Sequence, residues 1–202
     1  MTASPQSLAH ALLDAAKAAG ADSADSIAVS GTSVSIDVRG GALEQAEREE
    51  STDIGLRVFV GSRSAIVSAS DSRPETFAAI AERAVAMARE APEDPYAGIA
   101  DPGQLGTPVD PGPLEMLDPT EEPSPATLEQ TAREAEAAAL GVEGITQVQS
   151  ASAGYTARDV WLAATNGFSG GYRRSSRGHS CVAIAGEGLK MERDYDGDSR
   201  TF

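Results

Sequence analysis

Ser169 lies in Gly167-Phe168-Ser169-Gly170-Gly171, which matches the G-x-S-x-G pattern of a nucleophilic serine. That chemistry needs a strand before the serine and a helix after it, so that the hydroxyl stands on a sharp turn. Tyr172 to Ile184 reads as strand instead, so a glycine-bearing hairpin accounts for the match. His179 and Cys181, at i and i+2, share one face of that strand and are both metal-ligating types. No third or fourth ligand of this kind accompanies them. The chain has two histidines in all, His10 and His179, so it cannot build a three-histidine zinc site. His179 and Cys181 therefore read as part of a packed strand pair. His10 reads as a surface or boundary residue of the first helix.

Carboxylates give two further candidates. Asp194-Tyr195-Asp196-Gly197-Asp198 resembles the start of a calcium loop, but Ser199 occupies the sixth position, where glycine belongs. An acidic turn is the expectation. Glu44, Glu47, Glu49 and Glu50 surround Arg48, and acid–base work would require burial to shift their ionisation. Nothing around them suggests burial, so a solvated face is expected. Arg173, Arg174 and Arg177 form the one basic cluster and are the candidates for contact with a peptide or partner. The plainer reading is a strand edge protected from self-pairing by charge.

The elements that must hold these residues follow from periodicity. Ser4-Pro5 is a cap followed by proline at the first helical position, and Leu8, Leu12 and Ala16 continue at helical spacing towards Gly20. The period then becomes two, giving strands around 27–38, 42–50, 54–60 and 65–69. Asp71 or Ser72 is expected to cap a second helix, with Pro74 in its first turn and Phe77, Ile80, Ala81, Ala84, Val85 and Ala88 on one face. Nine of the eleven prolines fall within residues 92–125, and no Lys or Arg occurs between Arg89 and Arg133. That stretch reads as an extended connector lying along the folded body. Ser124-Pro125 repeats the capping signal for a third helix ending at Gly141. Strands are expected at 145–155, 159–165 and 168–186, with Asn166-Gly167 as a two-residue hairpin turn. The fold class is α+β: antiparallel meanders with three helices packed on the sheet, in the order helix, strands, helix, linker, helix, strands. The expected organisation is 1–91, a linker at 92–123, and 124–202.

Composition bounds the function. The chain has 202 residues, 16 Lys and Arg against 31 Asp and Glu, and a formal net charge of -15. Phosphate backbones need a cationic footprint, so direct nucleic-acid binding is not expected. One cysteine excludes an internal disulfide framework and fits a reducing compartment. No apolar run is long enough to span a membrane. The first 20 residues lack a basic start and carry Asp14 and Lys17, so a signal peptide is not expected.

Several stretches in order resemble one family. They are Gly20-Ala21-Asp22; Gly55-Leu56-Arg57-Val58-Phe59 followed by Ser68-Ala69-Ser70-Asp71; Asp94-Pro95-Tyr96-Ala97-Gly98-Ile99-Ala100-Asp101; Thr165-Asn166-Gly167; and Met191-Glu192-Arg193-Asp194-Tyr195 after Ser180-Cys181-Val182. Together they are similar to the N-terminal domain of the TldD/PmbA family, also called modulators of DNA gyrase. The last stretch is more similar to the PmbA (TldE) branch. The resemblance runs from about residue 8 to the end of the chain. It implies a cytoplasmic protein about twice this length, in which TldD-type and TldE-type subunits pair as a zinc metallopeptidase acting on flexible, unfolded peptides. It places the zinc ligands, an H-E-x-x-x-H helix and a later cysteine, in the C-terminal domain of the TldD-type subunit. This chain contains no H-E-x-x-x-H, and Cys181 does not match the later ligand. The resemblance thus implies a partial chain without the C-terminal domain, carrying no catalytic residue, cofactor or metal of its own. Its expected partners are a TldD-type subunit and unfolded peptides, with no direct nucleic acid and no membrane. Its expected role is in assembly and the substrate channel. The alternatives are a free-standing module that binds peptide at an exposed sheet edge, and a hydrolase using Ser169.

Overall fold

The computed structural model describes residues 3–106 and 111–201. Residues 107–110 of the expected connector lie outside the described residues. In chain order the main elements are α1 (Pro5–Ala18), β1 (Ser23–Arg39), β2 (Ala42–Val60), β3 (Arg63–Ala69), α2 (Phe77–Glu90), α3 (Pro125–Leu140), β4 (Ile145–Ala164), β5 (Ser169–Ala185) and β6 (Glu192–Arg200). The strands form one six-stranded antiparallel sheet in the order β3-β2-β1-β4-β5-β6. The α+β class and the order of helices and strands are as expected.

Four expectations about the strands and their turns change. Residues 42–50 and 54–60 are one 19-residue strand, because Ser51-Thr52-Asp53 is polar but contains no turn-forming glycine or proline. Thr156-Ala157-Arg158 likewise fails to interrupt β4. The hairpin loop between β4 and β5 is four residues, Thr165–Phe168, rather than two. In it the Asn166 side chain accepts the Phe168 N–H at 3.1 Å, and Gly167 takes φ +97°. The fourth change is Asp194–Asp198, expected as an acidic turn, which lies within the strand Glu192–Arg200. Its composition is poor for an isolated strand, but Glu192–Arg200 pairs residue for residue with Arg177–Ala185. A Cβ at Gly197 would stand 2.7 Å from the His179 carbonyl oxygen, so the pairing requires glycine there. Consequently β5 is followed in the sheet by β6, and β6 is the outer strand.

The chain divides into two compact units. The first comprises Met1–Gly31, Ser51–Pro111 and Arg158–Arg173. Here Ser4 Oγ accepts the Ser7 N–H at 3.2 Å and Pro5 opens α1. Leu8, Leu12 and Ala16 on α1 are buried with Phe77, Ala84 and Val85 on α2 over Leu56, Val58 and Val67 of the sheet. Alanines at the helix contacts let α1 and α2 approach each other closely. The expected cap of α2 is not formed. A 3₁₀ turn, Pro74–Thr76, leads into the helix, and Thr76 makes no side-chain cap bond. Asp71 is engaged elsewhere, accepting from Arg73 Nε at 2.8 Å.

The second unit comprises Thr32–Glu50, Gly112–Ala157 and Arg174–Phe202. Ser124 Oγ accepts the Thr127 N–H at 3.1 Å and caps α3. Leu128 and Ala132 of α3 pack on Val34, Ile36 and Val38 of β1 and on Ala153 and Tyr155 of β4. One turn further, on the same helical face, Glu136 is only 3% exposed.

The connector runs over the surface without long regular structure. Within the first unit, the Asp94 N–H donates to the Ser62 carbonyl at 2.8 Å, and Asn166 Nδ2 donates to the Ala100 carbonyl at 2.8 Å. Within the second, the Ser175 N–H donates to the Met116 carbonyl at 2.8 Å.

Candidate functional site

The first unit brings His10 and Ser169 together across 159 positions of sequence. His10 Nε2 lies 2.9 Å from Ser169 Oγ, and Trp161 Nε1–H donates to the same oxygen at 3.1 Å. The serine oxygen can accept the indole N–H while its own O–H or lone pair meets the imidazole. His10 is an exposed residue of α1, as expected of a surface or boundary position, but nothing in spacing alone links α1 to the start of β5. Two parts of a nucleophilic site are nonetheless missing among the described residues. No carboxylate orients the His10 ring, and strand rather than helix follows Ser169, so no nucleophile elbow forms. The arrangement fits a polar tie fastening α1 to β4 and β5.

The three arginines separate in environment. Arg173 and Arg174 are exposed and have no ion-pair partner among the described residues. Arg177 is bound into the second unit. Its Nη2 donates to Thr120 Oγ1 at 2.7 Å and to the Glu121 carbonyl at 2.9 Å, and lies 3.1 Å from Asp118 Oδ2. Its guanidinium also lies over the Tyr155 ring, 5.8 Å from the centroid. Buried Asp118 accepts from the Thr120 hydroxyl and N–H at 2.7 and 2.8 Å. Those two hydrogen bonds, assisted by the charge of Arg177, hold its carboxyl below the usual range against the opposing effect of burial. The Asp118 N–H in turn donates to Ser175 Oγ at 2.8 Å. Arg177 thus pins the end of the connector.

His179 and Cys181 line one concave region of the second unit. This groove of about 400 Å³ lies between α3 and the β5–β6 pair. Ala135, Ala138 and Ala139 form the helix side; Asp194 and Asp196 lie beside Cys181 and Ala183 on the sheet side. Register places Asp196 opposite Cys181 and Asp194 opposite Ala183. Burial, with the nearby Glu136 charge adding to it, raises the Cys181 thiol pKa. A raised pKa makes the thiol a poorer nucleophile and metal ligand near neutral pH. Among the described residues no group of three His, Cys, Asp or Glu side chains is placed to hold a metal ion. The described residues thus offer no zinc site, and the resemblance places the zinc ligands outside this chain. The acids at 194, 196 and 198 lie along an extended strand, which cannot wrap a calcium ion as a loop does. Glu44, Glu47, Glu49 and Glu50 are exposed on β2. Glu44 and Glu50 pair with Arg39 and Arg48 at 3.2 and 2.9 Å.

Residues 24–88 match the sequence profile of PmbA/TldA metallopeptidase domain 1, and residues 118–202 that of the PmbA/TldA metallopeptidase central domain. Metalloprotease PmbA of Escherichia coli is 29% identical over 179 residues, covering 88% of this chain and 39% of that protein. The crystal structure of a candidate modulator of DNA gyrase from Bacteroides thetaiotaomicron superposes with a TM-score of 0.84 at 21% identity, over 96% of this chain and 44% of that one. TldE from Thermococcus kodakarensis superposes with a TM-score of 0.76 at 14% identity, over 96% of this chain and 43% of that one. At these identities the two structures show the fold. The chain spans about two fifths of the length of each of these relatives.

Proposed function

We propose that this chain, which belongs to the PmbA/TldD metallopeptidase family, is the N-terminal part of a PmbA/TldE-type subunit that is not itself catalytic. In this reading it assembles with a TldD-type subunit in the cytoplasm and shapes the channel through which flexible peptides reach a zinc centre held by that partner. One observation carries the reading. Residues 24–88 and 118–202 match, in that order, the first and central domains of the PmbA/TldA metallopeptidases. No helix among the described residues is long and apolar enough to cross a membrane.

The test is co-purification and turnover. The chain is expressed alone and together with a TldD-type subunit, and cleavage of an unfolded peptide is followed. Turnover only in the presence of the partner is expected, with zinc held by the partner. Peptide cleavage by the chain alone, abolished by Ser169→Ala, would replace this reading with a serine hydrolase.

The outer position of β6 favours a second reading, a module that adds an extended peptide to its sheet edge. Exposed Arg173 and Arg174 would then attract acidic peptides, more weakly as salt rises. Equal affinity of wild type and Arg173→Glu/Arg174→Glu for an acidic peptide at low salt removes these two residues from that role.

A further inference from the structure

The two units treat their helices differently. In the first, α1 and α2 together cover the buried sheet face. In the second, α3 is the one helix of four turns or more among the described residues, and its buried face carries Leu128, Ala132 and Glu136. A second face of α3 is also apolar. Ala135, Ala138 and Ala139, with Val142 just beyond the helix, repeat at i, i+3, i+4 and i+7 and line the 400 Å³ groove over β5 and β6. Ala138 and Val142 are exposed, and Cys181 and Ala183 are half-open on the groove floor. Small side chains along such a face let another backbone approach closely.

The charge of the opposite wall specifies what fits. Glu192, Asp194, Asp196 and Asp198 alternate along β6 and so share one face of it. Asp194 and Asp196 line the groove and have no ion-pair partner among the described residues. Alternate residues of a strand are about 6.6 Å apart, and residues four apart on a helix rise about 6 Å. A helix lying along β6 with cations at i and i+4 therefore matches both carboxylates while its apolar stripe fills the alanine side. A second copy of this chain is a poor occupant, because each copy carries a charge of -15.

We propose that the groove between α3 and β6 is the docking site for an amphipathic helix of a partner protein that carries Lys or Arg beside its apolar stripe. This goes beyond the peptidase assembly and does not depend on it. Cys181 is the only cysteine and lines the groove, so its alkylation rate reports occupancy directly.

The experiment uses the full 202-residue chain and a designed Leu/Ala/Lys helical peptide of about 16 residues, long enough to hold a helix. A second peptide has Glu in place of every Lys. At a concentration about ten times its Kd, the cationic peptide is expected to slow alkylation of Cys181 about tenfold by mass action, and the acidic peptide to leave it within about twofold. Asp194→Lys/Asp196→Lys should reverse that preference, and Ala138→Glu should abolish protection. Equal protection by both peptides, protection by neither, or protection that survives Ala138→Glu overturns the proposal. So does protection that grows with protein concentration in the absence of peptide, which would assign the groove to self-association. The two-peptide comparison on the unaltered chain stands whether or not a variant folds.

Discussion

The carboxylate of Glu136 accepts the backbone N–H groups of both Gly40 and Gly41, at 2.6 and 2.7 Å. Both glycines have positive φ, +61° and +72°, as the tight turn between β1 and β2 requires. A helix residue thereby fixes the apex of a hairpin 95 positions earlier. Glu136→Ala leaves two turn amides without this acceptor and is expected to cost about 1.5–3 kcal/mol, the range for hydrogen bonds to a charged group. Glu136→Gln, which keeps one acceptor oxygen, should fall between. Urea midpoints read both, and a loss below about 0.5 kcal/mol for Glu136→Ala, the scale of an ordinary surface change, would show that water replaces the carboxylate freely.

Asp71 should titrate unusually low. Hydrogen bonds from the Arg73 side chain and then its N–H, with the guanidinium charge assisting, lower the Asp71 pKa to about 2. A folded-state pKa below the unfolded one contributes stability that is full above the unfolded value, about 3.9. That contribution is lost as pH falls through the folded value near 2. Carboxyl NMR should place the Asp71 midpoint near 2, and Arg73→Gln should move it up towards the ordinary range. An unchanged midpoint in that variant would remove Arg73 as the cause.

Ser169 is expected to act as a fastener. Ser169→Ala deprives His10 and Trp161 of their shared partner and should cost about 1 kcal/mol in thermal or denaturant stability. It should leave any peptide turnover of a reconstituted assembly unaltered. A large fall in turnover without a fall in stability would give the hydroxyl a chemical role.

The connector should be cut before the helices and strands. Tyr96 is 94% exposed and Leu114 63% exposed, each in a segment held by only a few hydrogen bonds. Limited digestion with a protease of broad specificity should first cleave between Pro92 and Pro123. First cuts inside β1 or β2 would mean that those long strands open more readily than the connector.

Signals confined to a few neighbouring residues could be read directly from the chain. Ser4-Pro5 and Ser124-Pro125 start helices because cap and proline act within one turn, and both hydroxyls accept the N–H three residues on. The apolar alternation of Val34, Ile36 and Val38 and of Ile54, Leu56 and Val58 marks the buried sheet face because period two is intrinsic to a strand. Asn166-Gly167 located a turn, since glycine alone takes φ +97° without strain. What the local signals could not supply is partner identity. Asp194–Asp198 reads as an acidic turn by composition and is strand only because Arg177–Ala185 offers Glu192–Arg200 a free edge. Arg177 looks like a surface cation until Asp118, 59 positions earlier, is seen beside it. His10 and Ser169 meet because the packing of α1 carries the ring there. The groove over β6 exists because α3 buries one apolar face and leaves the other open. Residue order thus determined the caps of α1 and α3 and the faces that the elements bury, since those depend on backbone preference and side-chain period. Tertiary structure decided which charges are paired, which strand is outermost and which face stays uncovered, since each depends on residues far apart in the chain.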